Sequence, residues 1–571
     1  MEPAVRVVDH IVAELARTGV DRVFGVGGAN IEDLYDAMHR SGGAVRGLVA
    51  KHEFAAATMA DGYARATGRL GVVAATSGGG AMNLVPGLAE AHASRIPVLA
   101  LVGQPPTGQH GRGAFQDTSG KAGSFDAREV FAPLSRFCAH VHTAGSIAEL
   151  LPQAVAAAWS HPRGPAVLLL PKDVQQAAAP PPAAAWPHTE AAGGVDPAAL
   201  DRVIAALRSA DGILIVAGEG VAADDARPEV ADLARRLGAW VAVTPDAKDV
   251  YDNRGTRFAG VSGVMGHPGV ADCLRRADVC LLVGTRLPVM ARGGLDDLLA
   301  GTLVIGVDPE PPFVPAVALR GAVRATLRAI VARLDARPRR CPDHAGPVPL
   351  PPPPARGPGT SYADAVAAVA GALPEDANVF VDAGNAAAAA IHLLPAPRRG
   401  RFVVAVGMGG MGYTFGAGIG AALGSGRRTY VLAGDGAFLM HGMEVHTAVE
   451  YDACVTFVVF NNNAHGMCVT REQLFYGDRY SYNTFRPTDI AAGVGAAFPT
   501  LDVTHADDAG QLRRALLRSN GRTGPAFVSL DFDPREIPPF LPFLAALGLD
   551  GTDRTNDNEE ASDERRQVHA G

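Results

Sequence analysis

The residues best equipped for chemistry are Gly434-Asp435-Gly436 and, one helical stretch later, Asn461-Asn462. The triplet closes a short apolar run, Tyr430-Val431-Leu432-Ala433, which reads as a buried parallel strand. Met443, Val445, His446, Val449 and Glu450 follow at helical spacings. Residues 454–460 then form a second β-rich run that ends at the Asn pair. Open α/β sheets hold their ligands at such strand ends. Asp435 offers a carboxylate oxygen, Asn462 an amide oxygen, and a backbone carbonyl just past Asn462 a third. This hard-oxygen set suits Mg²⁺ shared with phosphate oxygens and water. Gly434 and Gly436 let the backbone approach an anion closely, and a helix starting at Ala437 presents free N–H groups. Gly-Asp-Gly alone is also an ordinary strand-to-helix turn; the Asn pair turns the reading towards a metal–phosphate clasp.

With Glu444, Thr447-Ala448-Val449-Glu450-Tyr451 and Gly466-Met467 around it, this pattern resembles the cofactor-anchoring segment of thiamin-diphosphate (ThDP) enzymes, most closely the acetolactate synthases. The resemblance implies that Asp435, Asn462 and the Ala464 carbonyl hold Mg²⁺, with Gly434, Gly436, Ala437, Gly466 and Met467 lining the cofactor. It also implies a second half-site. Lys51-His52-Glu53 follows a strand-like run and precedes an Ala-rich helix over 54–67, as in the family segment whose glutamate bonds the pyrimidine N1′. A carboxylic acid there shares a proton with N1′ and so prepares N4′ to take the thiazolium C2 proton. Glu53 is therefore the expected catalytic residue, although a lone Glu at a helix start also has a simple macrodipole explanation. Residues 407–416 resemble the segment that bends the cofactor, with Met411 as the wedge between its rings and the Gly409 carbonyl accepting from N4′. Gly384 and Asn385 correspond to a turn that touches the diphosphate. Residues 25–28 and 76–83 resemble the pyrimidine-side loops. They include Gly28 on the substrate side and Asn83 on the cofactor side; Gly79 stands where the family usually has proline.

The reaction is less constrained. Decarboxylases of the family place two adjacent histidines near the ylide. Here the corresponding stretch is Gly113-Ala114-Phe115-Gln116, similar to the Ala-Phe-Gln of acetolactate synthases. Poor proton delivery favours capture of the carbanion by a second carbonyl, with Phe115 and Gln116 orienting donor or acceptor; His110 keeps simple decarboxylation open. Arg471 falls where the synthases usually carry tryptophan, and a guanidinium favours a polar or anionic acceptor unless it points to solvent. In the middle of the chain, Leu287-Pro288-Val289-Met290 and Gly263-Val264-Met265-Gly266 lack the residues associated with bound flavin, which argues against FAD. The expected activity is Mg²⁺- and ThDP-dependent decarboxylation of a 2-oxo acid, with pyruvate as donor, and ligation to a second carbonyl compound. The alternatives are a non-ligating decarboxylase, a flavin-linked pyruvate oxidase and a silent homologue.

These residues must be positioned by several domains, because 571 residues exceed what one core supports. Alternating helical and strand-like runs predict three α/β domains with mainly parallel sheets: a pyrimidine-binding domain over 1–176, a central domain over 195–338 and a diphosphate-binding domain over 360–547. Ala/Pro-rich linkers at 177–187 and 347–359 separate them. Residues 548–571 read as a disordered tail, and the N-terminus as an amphipathic domain helix, not a signal peptide. The 51 basic and 59 acidic residues, net −8, make no case for nucleic acid, and no apolar run is long enough for a bilayer. The six cysteines show no metal-ligand spacing and read as reduced residues of a cytoplasmic protein. With the two half-sites on separate domains, the resemblance implies active sites completed between subunits of a homodimer or homotetramer.

Overall fold

The computed structural model describes residues 5–179, 195–355 and 357–549. The central part of the first linker and nearly all of the tail lie outside these residues. Among them are three six-stranded sheets in which every pairing is parallel. The first contains β1 (Arg22–Gly25), β2 (Arg46–Val49), β3 (Gly71–Ala75), β4 (Val98–Gln104), β5 (Phe137–His140) and β6 (Ala166–Pro171). The second contains β7 (Ile213–Ala217), β8 (Trp240–Val243), β9 (Phe258–Val261), β10 (Val279–Val283), β11 (Leu303–Val307) and β12 (Val317–Leu319). The third contains β13 (Asn378–Val381), β14 (Phe402–Val404), β15 (Thr429–Gly434), β16 (Val455–Asn461), β17 (Asp502–Ala506) and β18 (Ala526–Asp531).

The outer two sheets are wound alike, β2-β1-β3-β4-β6-β5 and β14-β13-β15-β16-β18-β17. The middle sheet runs β12-β11-β10-β7-β8-β9, the doubly wound order of dinucleotide-binding folds. Side-chain alternation along the third sheet sorts its residues between two cores. Val379, Val381, Tyr430, Leu432, Val458 and Phe460 join the core shared with the middle domain. Phe380, Val431, Ala433, Phe457 and Val459 join the one shared with the N-terminal domain. The diphosphate-side sheet is thus covered on both faces, as parallel sheets require.

The tightest contact between the outer domains is the crossing of helices Glu53–Thr67 and Tyr413–Ser425. It needs small residues: a Cβ on Gly62 would collide with the backbone of Ala417, and one on Gly420 with that of Met59. This crossing fixes where Glu53 begins its helix relative to the glycine-rich segment before Tyr413.

One sequence expectation shifts. The helix after the Gly-Asp-Gly triplet begins at Asp435, not Ala437, because Gly434 is extended (φ −78°, ψ 163°) and acts as the N-cap. The acidic side chain therefore occupies the first turn, where the helix dipole favours it. The N-terminal helix spans Val7–Arg17 and buries Val8, Ile11, Val12 and Leu15.

Candidate active site in two halves

The C-terminal half gathers at the ends of β13, β15 and β16. Asp435 and Asn462 are buried, and their oxygens converge on one backbone group: Ala464 N–H lies 3.0 Å from Asp435 Oδ2 and 3.1 Å from Asn462 Oδ1. Burial pushes the Asp435 carboxyl up to about 6, opposed by the N–H groups of Ala464 and Asn462. A carboxylate enclosed in this way is well matched to a cation. The Asn462 amide in turn donates to the Tyr362 hydroxyl at 3.4 Å.

A small cavity of about 70 Å³ opens beside these groups, lined in part by Gly384, Asn385, Met411, Gly436, His465 and Gly466. Gly434, Ala437 and Met467 also border it. Two glycines keep it open. A Cβ on Gly436 would lie 2.6 Å from His465 Cδ2 and 3.1 Å from Met411 Cε; one on Gly466 would lie 2.6 Å from Asn462 Nδ2. Asn385 Nδ2 donates to Thr470 Oγ1 at 3.2 Å, whereas its buried Oδ1 has no hydrogen-bond partner. Gly384 adopts φ +102° to start the helix Asn385–Leu393. The other end of that helix is held from the middle domain: the Lys248 ammonium donates to the carbonyls of Ala390, Ile391 and Leu394, a cation at a helix C-terminus.

Met411 sits in a segment shaped by Gly409 (φ +66°) and Gly412 (φ +85°). Its far end is held by Asp382, whose Oδ1 accepts from Gly412 N at 3.0 Å and whose Oδ2 accepts from the Thr414 hydroxyl at 2.6 Å.

The N-terminal half gathers at the ends of β1, β2 and β3. Glu53 is the first residue of its helix, behind His52, whose Nδ1 accepts from Phe54 N at 3.1 Å. Asn83 Nδ2 donates to Glu53 Oε2 at 2.9 Å. Gly80 leaves room on the other side, since a Cβ there would lie 2.9 Å from Glu53 Oε1. Thr76 connects the remaining groups: its hydroxyl donates to Gln116 Oε1 at 3.2 Å and accepts from Asn30 N at 3.3 Å, and a Cβ on Gly28 would lie 2.7 Å from Thr76 Cβ. Gln116 itself holds φ +59°, a conformation that needs the surrounding contacts to hold it in place. Beside it Phe115 is 75% exposed.

The structure thus brings Gly28, Glu53, Asn83 and Gln116 together, and separately Gly384, Asn385, Met411, Asp435, Asn462 and Ala464. No residue of the N-terminal domain lines the small cavity. Arg471 is exposed on the helix Gly466–Phe475 and lies outside that lining. Sequence reasoning placed Thr76 in the pyrimidine-side loop without a role of its own, and it passed over Tyr362 and His465. Tyr362 acts as partner of a residue distant in sequence and carries no local signal, whereas His465 directly follows Ala464 and could have been weighed.

This fold and bipartite polar arrangement find their counterpart in one family. Profiles described as thiamine pyrophosphate enzyme N-terminal TPP binding domain, central domain and C-terminal TPP binding domain match residues 5–123, 200–330 and 382–530. The chain belongs to the thiamine pyrophosphate enzymes. Within that family it is close to acetolactate synthase large subunits. It is 31% identical over 495 residues to that of Parasynechococcus marenigrum (82% of this chain, 78% of the relative). It is 28% identical over 558 residues to the isozyme 1 large subunit of Escherichia coli (94% and 96%). Two solved structures share the fold. One is a putative thiamin diphosphate-dependent enzyme from Mycobacterium smegmatis (TM-score 0.79, 21% identity, covering 93% of this chain and 100% of that one). The other is benzoylformate decarboxylase from Polynucleobacter necessarius (TM-score 0.81, 19% identity, 93% and 100%).

Proposed function

We propose that this enzyme decarboxylates a 2-oxo acid, with pyruvate as donor, and ligates the resulting two-carbon unit to a second carbonyl compound. ThDP supplies the carbanion chemistry in such reactions. The C-terminal half fits its diphosphate: Asp435, Asn462 and the backbone at Ala464 offer oxygen donors for Mg²⁺, and Asn385 has an unpaired buried Oδ1 beside Gly384. Gly434, Gly436, Ala437, Gly466 and Met467 would contact the cofactor, Met411 would support it between its rings, and the Gly409 carbonyl would accept from N4′. In the N-terminal half, Glu53 holds the proton shared with N1′ and Asn83 orients that carboxyl.

One observation favours ligation over simple decarboxylation. Gln116, a neutral amide, is bonded to Thr76, while His110 Nε2 is engaged by the Pro105 carbonyl at 2.8 Å. A side chain engaged in this way would be a poor proton donor at the reacting carbon, which would favour its capture by a carbonyl acceptor. Gln116, Phe115 and Gly28 would position that acceptor, and Arg471 would do so from its helix if a partner subunit covers it.

The two halves lie on separate domains and no N-terminal residue lines the C-terminal cavity, which supports sites completed between two copies of the chain in a homodimer or homotetramer. We read the middle domain without FAD. At the strand ends of β10 and β11 a cavity of about 490 Å³ is crossed by Arg95, which bonds Asp308 at 2.8 Å and Glu310 at 2.7 Å, and the Arg286 guanidinium covers Phe313. No described helix is long and apolar enough to cross a membrane, and the six free cysteines suit the reducing cytoplasm.

The test is incubation with ThDP, Mg²⁺ and labelled pyruvate, with and without candidate carbonyl acceptors. CO₂ release that depends on acceptor supports ligation; accumulation of acetaldehyde alone would overturn it in favour of decarboxylation. A yellow protein as purified would overturn the flavin-free reading.

A further inference from the structure

The segment 407–412 is held at both ends by buried carboxylates, and they come from different domains. Asp382, at the far end, belongs to the domain that contains the segment. The near end is held by Glu90, from the helix Val85–Ala93 of the N-terminal domain. Glu90 is 2% exposed. Its Oε2 accepts from Met408 N at 2.6 Å; its Oε1 accepts from Gly407 N at 3.3 Å and from Ser94 Oγ at 2.7 Å. Arg65 Nη2 lies 3.8 Å from the same carboxylate, while Arg65 Nε is fixed 2.7 Å from Asp61. Position 407 accommodates only glycine, since a Cβ would lie 2.8 Å from Ala93 Cβ and 2.9 Å from Glu90 Oε1.

Between these anchors the segment has little packing of its own. A Cβ on Gly409 would meet nothing within 4 Å, and the Met408 side chain is 61% exposed. Its path is therefore set by what grips its ends.

We propose that Glu90 is a positioning residue for the cofactor's pyrimidine: it fixes, from the N-terminal domain, the backbone that presents the Gly409 carbonyl and Met411. The proposal rests on the ThDP reading of this segment. Glu90 acts through the N–H groups of Gly407 and Met408 and need not touch the cofactor. One carboxylate can accept from two successive N–H groups with both oxygens. A glutamine would turn an NH₂ donor towards one of them, so Glu90→Gln should be only partly competent. Docking of the N-terminal domain against this segment within one chain thus orders it, so the glycine-rich turn has its shape before cofactor arrives.

The experiment is amide hydrogen exchange across residues 405–413 of the cofactor-free full-length protein, paired with calorimetric ThDP binding in Mg²⁺ and steady-state kinetics. In Glu90→Ala, exchange at Gly407 and Met408 should rise by about a hundredfold, the loss of two part-buried charge-assisted bonds. ThDP affinity should fall by about tenfold to a hundredfold, with kcat lowered more than the donor KM is raised. Exchange within the helix Glu53–Thr67 should stay as in the parent. Glu90→Gln should fall between the two, and Ser94→Ala, which leaves both backbone bonds intact, should match the parent. Unchanged exchange at 407–408 in Glu90→Ala overturns the proposal. So does exchange that rises equally throughout the domain, which marks a merely structural role, or a loosened segment with unaltered ThDP affinity and kcat. A parent protein that binds no ThDP would instead refute the cofactor reading, leaving the exchange contrast to decide whether the clamp exists.

Discussion

The first and third sheets are wound in the same order, yet their strand ends carry different kinds of site. At the ends of β13, β15 and β16 the groups are buried and backbone-rich, braced from within by Asp382 and from the middle domain by Lys248. At the ends of β1, β2 and β3, Glu53 is fixed by Asn83, but beyond it lie a Gln116 in left-handed backbone and an exposed Phe115. One half is shaped to hold a ligand in place. The other leaves room for something that varies. The contrast suggests that the C-terminal half sets cofactor affinity and the N-terminal half sets the fate of the substrate.

Asp435→Ala should break this division most severely. ThDP affinity in Mg²⁺ is expected to drop by about a thousandfold or more, the several kcal/mol a bridging metal contributes, as read by calorimetry. The melting temperature of the cofactor-free protein should move by no more than a few degrees, since Asn462 Oδ1 remains on the Ala464 N–H. A large loss of stability with intact binding would reverse the roles assigned here.

Gln116→Asn should act on the other half. Asparagine tolerates the left-handed backbone at this position but reaches one methylene less far. The ratio of ligated product to CO₂ should fall by about tenfold, with ThDP affinity unchanged. A parallel fall in ThDP affinity would mean that the halves are not separable.

The smallest effect is expected at Glu536, which accepts from Tyr362 N at 2.8 Å behind the diphosphate half. Burial pushes its carboxyl up to about 7. Because the folded pKa lies above the unfolded one of about 4.5, the folded state binds more protons between those values. Stability therefore falls as pH rises from about 4.5 to 7. Glu536→Gln should raise the melting temperature by a few degrees at pH 8 and have little effect at pH 4.5. A stabilisation that does not depend on pH would disprove the assignment.

The same contrast explains what the sequence made legible. Runs such as Tyr430-Val431-Leu432-Ala433 and the residues leading to Asn461-Asn462 form central strands buried on both faces, so their apolar character and polar ends stand out in one dimension. The edge strands β5, β12 and β17 are short and mostly half-exposed or exposed and give no such signal. Asp435 and Glu53 were visible because each sits where a strand passes into a helix. Glu90, Lys248, Thr76 and Tyr362 were not, because each acts on a backbone or side chain far away in sequence; Thr76 and Tyr362 meet theirs only once their own domain folds, Glu90 and Lys248 only after two domains dock. The helix start was misplaced by two residues at Ala437 because the N-cap is a glycine with no capping side chain.

The central claim is that one working site draws Glu53 from one chain and Asp435 from another. It is tested most directly by mixing two inactive variants, Glu53→Gln and Asp435→Ala, under conditions that exchange subunits. In a mixed dimer one site would carry both lesions and the other neither. If half the dimers are mixed and one of their two sites is intact, about a quarter of the parent activity should return. No recovery despite demonstrated subunit exchange would contradict the account and place both half-sites within a single chain.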